Sequence, residues 1–182
     1  VNLYKLHNDP QSLDHNSDRF YVPGILFQEM TDLSQDQLSD HDVEAEHLEK
    51  YIVTDPWASY VYAKNYLREP WPPGEPAIAS VSRYAKDYAR FVLDGPFPAG
   101  EKVIATNANH SYEYAYRALR ARFPAGEEVI LTDADNAFYY AKNVLERPWP
   151  EAEELLMNSE YFSKYYKRFK EFYYKKQERM NP

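Results

Sequence analysis

The chain has 182 residues, 44% apolar side chains and a formal net charge of −8 at pH 7. That length suits one domain better than two, and that apolar share is enough to build a core. It has no cysteine, which excludes disulfides, thiolate catalysis and Cys-ligated zinc. No stretch approaches the roughly 20 apolar residues of a membrane-spanning helix.

Residues 1–55 carry three bases against twelve acids, a balance of −9, and no secretory pattern. A cytoplasmic location is therefore expected. Residues 1–33 hold no register with the repeated body of the chain, and residues 1–43 are read as an N-terminal cap. Within them His7, Asp9, Asp14, His15 and Asp18 form a polar cluster near Pro10. Asx and His beside a proline shape turns more often than they catalyse, and nothing here supplies a pocket or a nucleophile. Ser34 followed by Gln37 reads as a capping box opening a helix through about Lys50. His41, Glu44 and His47 stand three apart and would share part of a helix face, the one weak candidate for a divalent metal. A solvated acidic helix with two surface histidines accounts for them more simply, so no metal and no cofactor is expected.

From residue 44 to 158 the chain repeats every 26 residues. PWPPGEPAIAS, PFPAGEKVIAT, RFPAGEEVILT and PWPEAEELLMN begin at Pro70, Pro96, Arg122 and Pro148, with a worn copy at Glu44. Trp71, Phe97, Phe123 and Trp149 share one column. Tyr62, Tyr88, Tyr114, Tyr140 and Tyr166 share a second, with a small residue three before each: Ser59, Ala85, Ser111, Ala137 and Ser163. The small residue, the Ala after each of the first four tyrosines (Ala63, Ala89, Ala115 and Ala141) and the Leu four further on mark one face of a helix of about twelve residues. Thr54, Ser80, Thr106, Thr132 and Asn158 are read as its N-caps, and Pro70, Pro96 and Pro148 as its stops.

The Pro-aromatic-Pro link leaves room for only one or two helical turns before the next long helix. Glu75, Glu101, Glu127 and Glu153 recur beside that short helix's start, where they complement the helix dipole. The tyrosine hydroxyls are expected to bond the neighbouring unit's backbone or its glutamate while the rings fill the core. Such a unit cannot bury its apolar face alone and must stack on its neighbours. The fold class expected is thus all-α: a solenoid of about five two-helix repeats, continuous with both caps in one domain.

Residues 159–182 are read as a C-terminal capping helix with an apolar stripe of Phe162, Tyr166, Phe169 and Tyr173. Residues 161–182 hold seven bases against two acids, a balance of +5. Nucleic acid is not expected along the acidic body and has only this basic helix to meet.

LYKLHNDPQSLDH, the later VP and the units of form YAK..L..PWPPGE..I resemble a group of Tyr- and Pro-rich repeat proteins of tailed bacteriophages. The resemblance implies a viral origin and assigns no chemistry. Residues that vary between repeats are free of packing constraint and available for recognition: Tyr60, Lys86, Tyr112, Phe138 and Lys164 in one column, Val61, Asp87, Glu113, Tyr139 and Tyr165 in the next. Among these, Tyr60, Lys86, Tyr112, Phe138, Tyr139 and Tyr165 are the candidate binding residues, because aromatic and cationic side chains anchor interfaces. The expected function is non-enzymatic binding of a host or viral protein, with inhibition as one outcome. The alternatives are assembly of copies through the oppositely charged ends, and a small-ligand or nucleotide site in a Tyr-lined groove.

Overall fold

The computed structural model describes residues 21–22, 25–26 and 52–180. These are mostly helical. The exception is a short antiparallel ladder of β1 (Tyr21–Val22) and β2 (Ile25–Leu26), with Tyr21 opposite Leu26 and Val22 opposite Ile25. The chain divides into two compact units, residues 1–78 and 79–182. The capping box at Ser34, the polar cluster at residues 7–18 and the metal candidates His41, Glu44 and His47 lie outside the described residues.

In the first unit, α1 (Pro56–Val61) continues through a π-wound turn, Tyr62–Leu67, and α2 is Glu75–Ile78. The connector's Trp71 meets Tyr62 edge to face, with ring centroids 4.9 Å apart. Gly74 sits beneath that indole: a Cβ there would fall 2.2 Å from Trp71 Cε3 and 2.9 Å from Ser59 Cβ. Ser59 Oγ, fully buried, donates to the Ile52 carbonyl at 2.8 Å.

The second unit repeats this arrangement. Its long helices are α3 (Ser82–Tyr88, extended by Ala89–Leu93), α5 (Ala108–Glu113, extended by Tyr114–Leu119) and α7 (Ala134–Asn143). The short helices are α4 (Pro98–Ile104), α6 (Pro124–Ile130) and α8 (Glu153–Asn158), and α9 (Phe162–Met180) ends the unit. Each long helix lies against the next: α3 on α5, α5 on α7 and α7 on α9.

One interaction recurs through this unit. The Tyr114 hydroxyl accepts a hydrogen bond from the Phe97 backbone N–H at 2.9 Å, and Tyr140 does the same for Phe123 at 2.9 Å. Tyr166 does it for Trp149 at 3.0 Å. Each connector aromatic in turn packs on the tyrosine of its own repeat: Phe97 on Tyr88, Phe123 on Tyr114 and Trp149 on Tyr140, with centroids 5.0–5.1 Å apart. Ring contact and hydrogen bond therefore alternate from one repeat to the next. Tyr88, Tyr114, Tyr140 and Tyr166 are wholly buried, as are Ile104, Ile130 and Leu156 of the short helices. Burying a large aromatic with its hydroxyl paired avoids the desolvation cost of an unmet polar group.

The caps lie one residue later than the sequence suggests. Thr106 Oγ1 and Thr132 Oγ1 donate to the Val103 and Val129 carbonyls, both at 2.7 Å, closing the preceding short helix. The following residue has extended backbone and caps the long helix: Asp55 accepts from Ala58 N–H, Asn107 from His110 N–H and Asp133 from Asn136 N–H. Ser159 Oγ accepts from Phe162 N–H in the same way. Val81 takes this place in α3 with no side-chain cap.

The long helices also end in a manner the prolines do not reveal. The carbonyls of Ala63, Ala89 and Ala115 accept from N–H groups five and six residues on, and Arg68, Asp94, Arg120 and Glu146 turn the chain with φ of 47–58°. A left-handed conformation costs an L residue roughly 1–2 kcal/mol, so it persists because the packed connector demands it.

Candidate functional site

The outward face of α3, α5, α7 and α9 is where the repeats differ. On α5, Tyr112 stacks on Tyr116 one turn later, centroids 5.8 Å apart and planes 5° from parallel. The Tyr112 hydroxyl accepts from Asn143 Nδ2 of α7 at 2.9 Å. Burial raises the Tyr112 pKa and the Asn143 bond opposes that shift. Tyr139 of α7 lies 6.3 Å from Tyr112 and 6.4 Å from Phe162. Phe162 meets Tyr161 at 4.8 Å, and Tyr161 meets Tyr165 at 5.2 Å. An aromatic ladder thus crosses three successive long helices. Tyr116, Tyr139, Tyr161 and Tyr165 present 41, 39, 65 and 44% of their surface to solvent.

The candidate residues divide on this face. Tyr139 and Tyr165 are exposed rungs of the ladder, and Tyr112 is a half-buried one. Phe138 is buried, covered by Phe162 at 5.2 Å, with the Lys142 ammonium 6.0 Å from its ring. It packs the ladder from beneath and offers no surface. Tyr60 is likewise buried, with the Lys64 ammonium 5.5 Å from its ring, in the unit of residues 1–78. Reading variation as exposure was wrong for these two, because a column that varies can still be filled by a large ring. Lys86 stands apart from the ladder, bonded to Glu113 at 2.6 Å and to Asp87 at 2.9 Å.

Beside Lys86, Ser82 Oγ lies 2.7 Å from His110 Nδ1. Burial and then the Lys86 charge push the His110 pKa below its ordinary value. Burial alone would raise the Glu113 pKa, but its hydrogen bond and charge interaction with Lys86 bring it below the usual carboxylate value. These contacts bridge α3 to α5 as ordinary polar packing between neighbouring helices.

Tyr116 and Tyr161 were not among the sequence candidates. Their signal was a spacing of four: Tyr116 stands one turn after Tyr112, and Tyr161, just before α9, stands four residues ahead of Tyr165.

The glutamate column is engaged with the tyrosines. Glu101 accepts from the Tyr114 hydroxyl at 2.9 Å and Glu127 from the Tyr140 hydroxyl at 2.7 Å. Arg122 holds Glu127 through both Nε and a terminal nitrogen, which lowers the Glu127 pKa against the opposing effect of burial. Glu153 instead takes Lys170 of α9, and the Tyr166 hydroxyl donates to the Trp149 carbonyl at 3.1 Å.

Among the described residues, no group of three or more His, Asp or Glu is placed to hold a metal ion, and no helix is long and apolar enough to cross a membrane. No protein-family model, curated protein or solved structure matches the chain.

Proposed function

We propose that the chain is an α-solenoid with a cap at each end, and that it works by binding another protein and not by catalysis. The observation that carries this reading is the exposed ladder of Tyr116, Tyr112, Tyr139, Tyr161 and Tyr165. Large rigid rings side by side on packed helices supply contact area at low entropy cost, and tyrosine is enriched among interface hot spots. The partner is a host or viral protein, in keeping with the resemblance to phage repeat proteins, and the encounter inhibits or redirects it in the cytoplasm.

The test is affinity capture from bacterial lysate with the full chain and a Tyr139→Ser, Tyr161→Ser, Tyr165→Ser variant. The variant keeps its thermal unfolding transition and loses the captured protein, since a hot-spot residue is worth about 2 kcal/mol or more. Equal capture by both forms refutes the ladder as the binding surface.

A further inference from the structure

Beside the ladder, two adjoining hollows of about 520 and 710 Å³ share Tyr116, Asn143 and Glu146 and so make one continuous groove. The first brings together Arg90, Arg117 and Arg120. The second adds Lys142, Arg147 and Lys176, with Phe169, Phe172 and Tyr173 of α9 along the same wall. Glu146 is the one acidic residue in this lining. Asp94 pairs with Arg120 at 2.6 Å, and Glu113 lies 3.7 Å from Arg117, both from outside the groove. The cations are thus concentrated here although the chain as a whole carries −8.

The rings bear on the choice of ligand. Phe172 is 69% exposed and offers its ring to whatever lies in the groove, and Tyr116, 41% exposed, adds the outer part of a ring that stacks on Tyr112. Arg117 adds a guanidinium 5.5 Å from the Tyr116 ring. We infer that this groove binds single-stranded nucleic acid, its arginines and lysines following the phosphates and its exposed rings stacking on bases. A cationic track with interleaved aromatics is the combination that single strands require, because every base has a π face whatever the sequence. A duplex hides those faces. An acidic peptide satisfies the cations and leaves the exposed Phe172 ring unused.

The experiment is fluorescence anisotropy of the full chain with a labelled oligothymidylate of about 20 nucleotides, over a salt series. Binding is expected at about 50 mM salt, with log K falling against log salt at roughly −0.7 for each phosphate contacted. Phe172→Ala and Tyr116→Ala should each weaken binding by about tenfold. Arg117→Glu combined with Lys176→Glu should abolish it, while Lys102→Glu on α4, exposed and outside the groove, leaves it intact. No binding at that salt overturns the inference, as do groove variants that bind like the wild type. Equal competition by polyglutamate or by a duplex of the same length overturns it too, by showing that the rings play no part. Failure of the ladder variant to capture protein leaves this result untouched, so the two readings are separable.

Discussion

Tyr139 and Tyr140 are neighbours on α7 with opposite situations. Tyr140 is wholly buried, its hydroxyl held between the Phe123 N–H and the Glu127 carboxylate. Tyr139 points outward and touches Tyr112 and Phe162 through its ring. The first belongs to a column that is tyrosine in every repeat, and the second to a column that reads Val61, Asp87, Glu113, Tyr139 and Tyr165. The difference teaches that one residue type serves two purposes here. Where a layer must be joined to the next, the hydroxyl and ring are both used and no other side chain supplies both. At Tyr139 and Tyr165 the side chain faces out and its identity is released from core packing, although Val61 in the same column is buried.

The largest effect expected is on the inward column. Tyr114→Ala should lower stability by about 3–5 kcal/mol, the range for deleting a large buried aromatic, measured by chemical denaturation. Wild-type stability in that variant would move Tyr114 to the surface and break the comparison.

Alkaline titration probes the same column together. Burial raises the pKa values of Tyr114, Tyr140 and Tyr166, with Tyr166 pushed up to about 12. A raised phenol pKa favours the neutral form in the folded state. Its contribution is therefore complete below pH 10, the unfolded value, and is lost as pH rises from 10 through 12. Each such phenol contributes a slope of up to about 1.4 kcal/mol per pH unit in that window. Stability unchanged to pH 12 would mean these hydroxyls are not held as described.

Gly126→Ala should cost about 1–3 kcal/mol through overpacking. The added Cβ would fall 2.6 Å from Phe123 Cδ1 and 2.7 Å from Ser111 Cβ. The last repeat shows how the strain is relieved: Ala152 stands in this column, and Trp149 lies tilted at 45° to Tyr140 where Phe123 makes 77° with Tyr114. The smallest effect expected is Glu146→Gly, which relieves a φ of 52° and should raise stability by up to about 1 kcal/mol.

The helical character was legible because the sequence columns combine period 26 with helical spacing, and the buried Tyr, Ala and connector aromatics follow directly. The caps were misread by one residue because Thr106 and Thr132 are good N-caps in isolation, and only the path of the short helix assigns their hydroxyls backwards. The left-handed turns were hidden because Arg68, Asp94, Arg120 and Glu146 lack the glycine that usually signals such a position. Of the candidate surface, Tyr112, Tyr139 and Tyr165 were legible from variation alone. Tyr116 and Tyr161 needed the three-dimensional neighbourhood, as did the basic groove, whose cations come from α3, α5, α7 and α9.

The central claim is that the invariant tyrosine column carries stability while the exposed rungs Tyr139 and Tyr165 are free of that duty. Urea denaturation of Tyr139→Phe beside Tyr140→Phe tests it most directly, since each substitution removes one oxygen and keeps the ring. Tyr140→Phe leaves the buried Phe123 N–H without its acceptor and should cost about 1–3 kcal/mol. Tyr139→Phe should stay within about 0.5 kcal/mol of wild type. Equal losses in the two variants, or a larger loss at Tyr139, would contradict the account.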